Sequence, residues 1–317
     1  MHTKPIALGV LLSLSLVPSA SVAQPSPSAP ASEGTGRYPA MFEEDPSLPA
    51  HVVYRPRDLA TLGRDKLPVY VWGNGGCSAD GTSSRNHLLE IASHSYLVIA
   101  AGTVPKGPLF TPPAAPPAPP VATPAGAAAP RAPLPAATPT SALREAIDWA
   151  IRENAREDSP YRGRLATDRI AVSGWSCGGL QALNVAPDPR VKTAVIMNSG
   201  FFGAGASPIT GIDNDKATLS KLHTPVLYVL GGPTDIAYAN GMDDYKRIGG
   251  IPAAVVNIPV GHAGTYFQPN GGLAAQIVTS WLDWQLKGDN GAGRRFTGPN
   301  CGYCRDERFT IERKNLG

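Results

Sequence analysis

Beyond residue 23 the chain has no apolar run long enough to cross a bilayer, which excludes a helical anchor over that stretch. It also lacks any concentration of one charge. The 28 Lys and Arg and 25 Asp and Glu leave a formal net charge of +3, and nothing gathers into a basic face. Nucleic acid and anionic membranes are therefore poor partners. Cysteine is scarce, at four residues. Four allow two disulfides in three possible pairings. Cys301 and Cys304, in Cys-Gly-Tyr-Cys, read as a small closed loop. A structural zinc site needs four ligands, and no second Cys or His pair lies nearby. Between Ser176 and His262 there is no glutamate at all, an absence that later narrows the choice of an acid.

The start of the sequence has the form of a secretory signal peptide over residues 1–23: Lys4, an apolar run from Ile6 to Val17, then Ser21-Val22-Ala23. Residues 24–36, rich in Pro, Ser and Ala, read as a disordered leader. A single domain is expected over 37–317, with a Pro/Ala-rich insertion at 105–139 and a Cys-containing tail at 291–317. The expected location is secreted or periplasmic, where disulfides persist.

From His51 onward, strand-like and helix-like runs alternate. Strands are expected at Val52–Tyr54, Leu67–Trp72, Tyr96–Ala101, Ile170–Val172, Thr193–Met197, Val226–Leu230 and Val255–Val260. Helices are expected at Ser84–Ser93, Ala142–Asn154, Gly178–Val185 and Leu273–Leu286. Continuous Val/Ile/Leu/Ala strands between helices imply an α/β fold, its mostly parallel central sheet covered by helices on both faces. The insertion breaks this alternation. Its prolines are expected to forbid helix and ladder and to keep it out of any packed core, leaving a surface excursion or a flap over the carboxyl edge of the sheet.

Gly174-Trp175-Ser176-Cys177-Gly178 directly follows a strand-like run and opens a helix. Strand, Gly-x-Ser-x-Gly, helix is the pattern of a nucleophile elbow, a tight turn that lifts a serine hydroxyl to the carboxyl edge of a sheet. A base and an acid should follow in chain order. His223 precedes a strand, at the wrong edge, whereas His262 follows one and sits among small residues. Asp188 precedes a strand, and Asp243 and Asp244 fall on a helix, where paired acids usually form a solvated face. Asp235 leaves a strand through Gly231-Gly232-Pro233-Thr234 and is the expected acid, with Asp213 and Asp215 in reserve.

An oxyanion hole needs two backbone N–H donors. Cys177, after the serine, is one. The other is expected from Gly76, in the loop Gly73-Asn74-Gly75-Gly76 that follows an early strand, where Asn74 takes the place of a commoner histidine. Cys77 adjoins one donor and Cys177 is the other, so a Cys77–Cys177 disulfide is geometrically reasonable and would brace the hole. Trp175, Phe201, Phe202, Tyr238 and Tyr266 are candidates for a substrate-binding group.

With these motifs in place, the chain from about Pro68 to Gly288 resembles the α/β-hydrolase superfamily, in particular secreted dienelactone-hydrolase-like, acetylhydrolase-like and polyester-hydrolase-like esterases. The resemblance implies a carboxylic ester hydrolase working through an acyl-enzyme on Ser176, Asp235 and His262, without cofactor or metal, on a small-molecule or polymeric ester. The short, Gly-rich stretch from Ser199 to Thr218 implies no large lid. Rival readings are an exported peptidase or amidase on the same triad, a non-catalytic binding protein of the same fold, and an esterase trimming polysaccharide. The segment before the first strands is too short for the substrate-screening domain common in such peptidases, and no carbohydrate-binding module is visible.

Overall fold

The computed structural model describes residues 33–109, 133–203 and 207–316. The expected signal peptide, most of the leader and the middle of the insertion lie outside them. In chain order the elements are β1 (Ala40–Glu43), β2 (His51–Pro56), β3 (Leu67–Gly73), α1 (Arg85–Ser93), β4 (Leu97–Ala101), β5 (Leu134–Pro135), α2 (Ser141–Ala155), β6 (Leu165–Trp175) and α3 (Cys177–Val185). There follow β7 (Val191–Met197), β8 (Ile209–Thr210), β9 (Val226–Leu230), α4 (Tyr238–Arg247), β10 (Ala253–Asn257), α5 (Gly272–Lys287), α6 (Asn290–Gly293) and β11 (Thr310–Lys314).

Nine strands form one sheet in the order β1-β2-β4-β3-β6-β7-β9-β10-β11. The six from β4 to β10 run parallel, and β1, β2 and β11 add antiparallel pairings at the two ends. The strands are apolar on both faces because both are covered. In β4, Leu97, Ile99 and Ala101 enter a core with α2, α3 and α4, while Val98 and Ala100 enter a second core with α1 and α5. Each fully buried Val, Leu or Ile contributes about 1.5–3 kcal/mol, so this alternation fixes which way every strand faces. The parallel strands all end at the edge where β3, β6, β7, β9 and β10 release their loops, and the site described below is built there.

Four expectations need correction. Residues 33–36 are not loose: Thr35 donates from its N–H and hydroxyl to the Glu90 carboxylate (2.8 and 2.5 Å), and the Gly36 N–H donates to Ser93 Oγ. The returning end of the insertion does form a ladder, as β5 pairs in parallel with β8. Leu134 and Ala136 supply the donors, so the missing N–H of Pro135 costs nothing there. Strand β10 stops at Asn257, short of Val260, where Pro259 ends the pairing. Asp244 is fully buried, not on a solvated face. It accepts the Phe201 N–H at 2.7 Å and Lys216 Nζ at 2.6 Å, while Asp243 is half-buried and pairs with both Lys216 and Arg247.

The tail packs on the domain. Phe296, Tyr303 and Phe309 are buried beside Trp281, and β11 covers the edge of β10. Both cysteine pairs stand at disulfide distance: Cys77–Cys177 with Cα atoms 5.2 Å apart, and Cys301–Cys304 at 5.0 Å. With every cysteine paired, the chain fits an oxidising compartment. No helix among the described residues is long and apolar enough to cross a membrane.

Candidate active site

Strand β6 ends at Trp175, and α3 begins at Cys177. Ser176 alone makes the turn, at φ 55° and ψ −118°, a conformation that costs a non-glycine residue about 1–3 kcal/mol and persists only where neighbours enforce it. The enforcing contact is backbone on backbone. A Cβ on Gly174 would run into the Gly178 carbonyl, and one on Gly178 into the Gly73 carbonyl, so β3, the elbow and α3 close up only with glycine at those positions.

Three loops bring the expected triad together. His262, in the loop after β10, has Nε2 2.9 Å from Ser176 Oγ and Nδ1 2.6 Å from Asp235 Oδ1. Asp235, in the turn after β9, also accepts the N–H groups of Gly231 and Ala237 at 2.9 Å each and Asn198 Nδ2 at 2.7 Å. Burial pushes its carboxyl upward, but the bonds from His262, Ala237 and Gly231 outweigh that and hold it below its ordinary value. An ionised Asp235 accepts a proton-bearing Nδ1, which leaves Nε2 free to accept the serine hydroxyl. The arrangement can raise the nucleophilicity of Ser176 and stabilise the imidazolium formed when its proton moves.

The other carboxylates considered lie elsewhere. Asp213 and Asp215 are exposed, and Asp215 caps a short turn by accepting the Ala217 N–H. Asp188 pairs with Arg190, and His223 is exposed before β9.

Gly76 has φ 63°, and its N–H, like that of Cys177, meets no acceptor among the described residues. The loop carrying it is held from three sides. Asn74 Nδ2 donates to the carbonyls of Ala101 (2.6 Å) and Ser78 (3.0 Å). The disulfide ties Cys77 to the start of α3. The Cys77 carbonyl accepts the N–H groups of Ala137 and Thr138, and Gln181 Nε2 of α3 donates to the Thr138 carbonyl at 2.6 Å. The return of the insertion thus stitches this loop to the helix behind the serine.

A small cleft of about 70 Å³, open to solvent, lies beside Ser176, walled by Leu180, Phe202, Ile209 and Ile236, with Asn198, Ser199 and Asn240 as polar lining. The aromatic group expected there is mostly elsewhere. Phe201 is fully buried in the core, its N–H drawn to Asp244, and the next residue, Phe202, faces the cleft instead. Tyr266 is fully buried, and its hydroxyl donates to Asn198 Oδ1. Tyr238 lines a separate cavity with Pro233, Pro259 and Phe309. Trp175 packs on His262, Tyr266 and Phe267, and its Nε1 donates to the His262 carbonyl at 2.8 Å. Asn198 is the residue that sequence reasoning missed. It directly follows β7 at the carboxyl edge, the same criterion that selected Asp235 and His262.

No protein-family model matches the chain, and a search of curated proteins returns no match.

Proposed function

We propose that the chain is an exported serine esterase of the α/β-hydrolase fold, cleaving carboxylic esters through an acyl-enzyme. The observation that carries this reading is the continuous relay Ser176 Oγ–His262 Nε2 at 2.9 Å and His262 Nδ1–Asp235 Oδ1 at 2.6 Å, on a strained elbow at the carboxyl edge of a parallel sheet.

Ser176 attacks the ester carbonyl while His262 Nε2 takes its proton. The negative charge that develops on the carbonyl oxygen is met by the N–H groups of Gly76 and Cys177, each such donor being worth about 10²–10³ in rate. His262 then protonates the departing alkoxide. A water, deprotonated by His262 in turn, attacks the acyl-enzyme and releases the acid. Asp235 stays ionised throughout and holds the imidazole in the required tautomer.

The test is hydrolysis of a p-nitrophenyl ester series by the mature protein beside Ser176→Ala. Activity present in the first and lost in the second is expected. Equal rates in both would remove Ser176 as nucleophile.

A further inference from the structure

The segment after α5 builds a hollow that the chemistry at Ser176 does not use. A cavity of about 570 Å³, open to solvent, lies between the end of α6 and the Cys301–Cys304 turn, and Arg294, Arg295 and Arg305 all line it. It shares no lining residue with the cleft beside Ser176. No carboxylate lines it, and none of the three arginines forms an ion pair among the described residues. Sequence order hides this grouping, because acids interleave with the arginines along the chain. Those acids are engaged elsewhere. Asp289 caps α6 by accepting the N–H groups of Gly291 and Ala292, and Asp306 pairs with Arg308 at 2.6 Å.

The hollow is held in shape from several sides. Arg295 lies over the Tyr303 ring, and its Nη1 donates to Ser280 Oγ at 3.0 Å and to the Tyr303 hydroxyl at 3.3 Å. Its Nε and Nη2 keep their donors free among the described residues. The N–H groups of Gly302 and Tyr303 donate to the carbonyls of Arg294 and Arg295 at 3.2 and 2.9 Å, and the disulfide closes the turn beyond them. Arg313 Nη1 holds the opposite wall through the carbonyls of Phe296 and Gly298. Groups fixed in advance lose less freedom when a ligand arrives. A guanidinium fork matches two oxygens of a phosphate or a carboxylate. Three such cations without a carboxylate favour two negative charges on one group, which selects a phosphate monoester over a single carboxylate. The volume exceeds a bare phosphate, and Thr297 and Asn300 add polar walls. We propose that this hollow binds the dianionic phosphate group of a small polar phosphate monoester, such as a sugar or polyol phosphate. The site stands independently of the esterase reading.

The experiment is titration calorimetry of the mature protein with glucose 6-phosphate and with acetate, at one fixed ionic strength. Saturable binding of glucose 6-phosphate, tighter than that of acetate, is expected. Arg294→Gln/Arg305→Gln should weaken it about tenfold or more, the value of a hydrogen bond to a charged group. Both side chains are exposed and unpaired, so the double variant should keep the wild-type melting temperature. Arg305→Lys, which keeps the charge and loses the fork, should fall between the two. Affinity should also rise from pH 5 to 7.5, as the phosphate loses its second proton near pH 6 while the guanidiniums stay charged. Binding no tighter than that of acetate, or equal in wild type and double variant, overturns the proposal. A lipid headgroup presents the same phosphate, so flotation with vesicles of phosphatidic acid in phosphatidylcholine runs in parallel. Capture on those vesicles without binding of glucose 6-phosphate overturns the assignment to a soluble phosphate monoester.

Discussion

Asn198 Nδ2 lies 2.7 Å from Asp235 Oδ2, while the same side chain's Oδ1 accepts the hydroxyl of Tyr266. The amide is therefore oriented from both ends, and Asn198 Nδ2 also reaches the Gly261 carbonyl at 3.1 Å, next to His262. A side chain at the end of β7 thus ties Asp235, after β9, to the loop that carries His262, after β10.

Asn198→Ala should lower kcat by about 10–100-fold, the value of a hydrogen bond to a charged group, with a smaller change in KM. Asn198→Asp, which puts a second carboxylate against Asp235, should be at least as damaging, and increasingly so as pH rises and both ionise. Steady-state kinetics from pH 5 to 9 on both variants check this. Full activity in Asn198→Ala would show that the three remaining donors suffice.

Two buried carboxylates set opposite pH trends in stability. Asp235 is held below its ordinary value, so it stabilises the fold above the usual carboxylate range and loses that contribution as pH falls through its folded value. Asp244 is raised, chiefly by burial, from 3.8 to about 6 despite Lys216. The folded state holds its proton more tightly than the unfolded chain, so this contribution is complete at low pH and is lost as pH climbs from about 4 to 6. The shift corresponds to about 3 kcal/mol. Urea unfolding at pH 4.5 and 7 should show about 2 kcal/mol of that loss in the wild type, the rest falling below pH 4.5, and a much smaller change in Asp244→Asn.

Opening the Cys77–Cys177 bridge should affect both stability and rate. It spans a sequence separation of 100, for which chain entropy gives about 4–5 kcal/mol. It also joins the residue beside Gly76 to Cys177, so Cys77→Ser/Cys177→Ser should lose about tenfold or more in kcat, with KM less affected. Cys301→Ser/Cys304→Ser, whose loop is short and far along the chain from Ser176, should retain kcat. A bridge variant with wild-type kcat at a temperature where it is fully folded would restrict the disulfide to a stabilising role.

Leu180 marks the cleft wall on α3 and is itself buried. Leu180→Ala should cost about 2–5 kcal/mol of stability and move the preferred p-nitrophenyl ester to longer acyl chains, because the vacated volume opens into the cleft. Chain-length profiles of the two proteins give the answer directly.

The strand–helix alternation was legible because Val, Ile and Leu dominate strands buried on both faces, and the elbow because glycine alone tolerates the approach of β3 to α3. Asp235 and His262 could be chosen by asking which residues leave the carboxyl ends of strands. Side-chain direction could not be read that way. Phe201 and Phe202 are adjacent and chemically alike, and their backbone is held by side chains from distant segments, Asp244 on the Phe201 N–H and Asn214 on the Phe202 N–H. Nor could the burial of Asp244 be seen, since it depends on Lys216 arriving from another segment. The β5–β8 ladder was hidden by a proline whose missing N–H the ladder does not need, since Leu134 and Ala136 supply its donors.

Strand β11 is made after every other strand of the sheet. Until it pairs, β10 presents a free edge of Ala253, Ala254, Val255 and Val256, an apolar row open to any other extended chain. The loop that carries His262 leaves from the end of that same strand. During synthesis, the interval between β10 and β11 therefore leaves that edge open to mispairing. Pairing by residues 310–314 closes that edge, which removes its free N–H and C=O groups as a template for another chain.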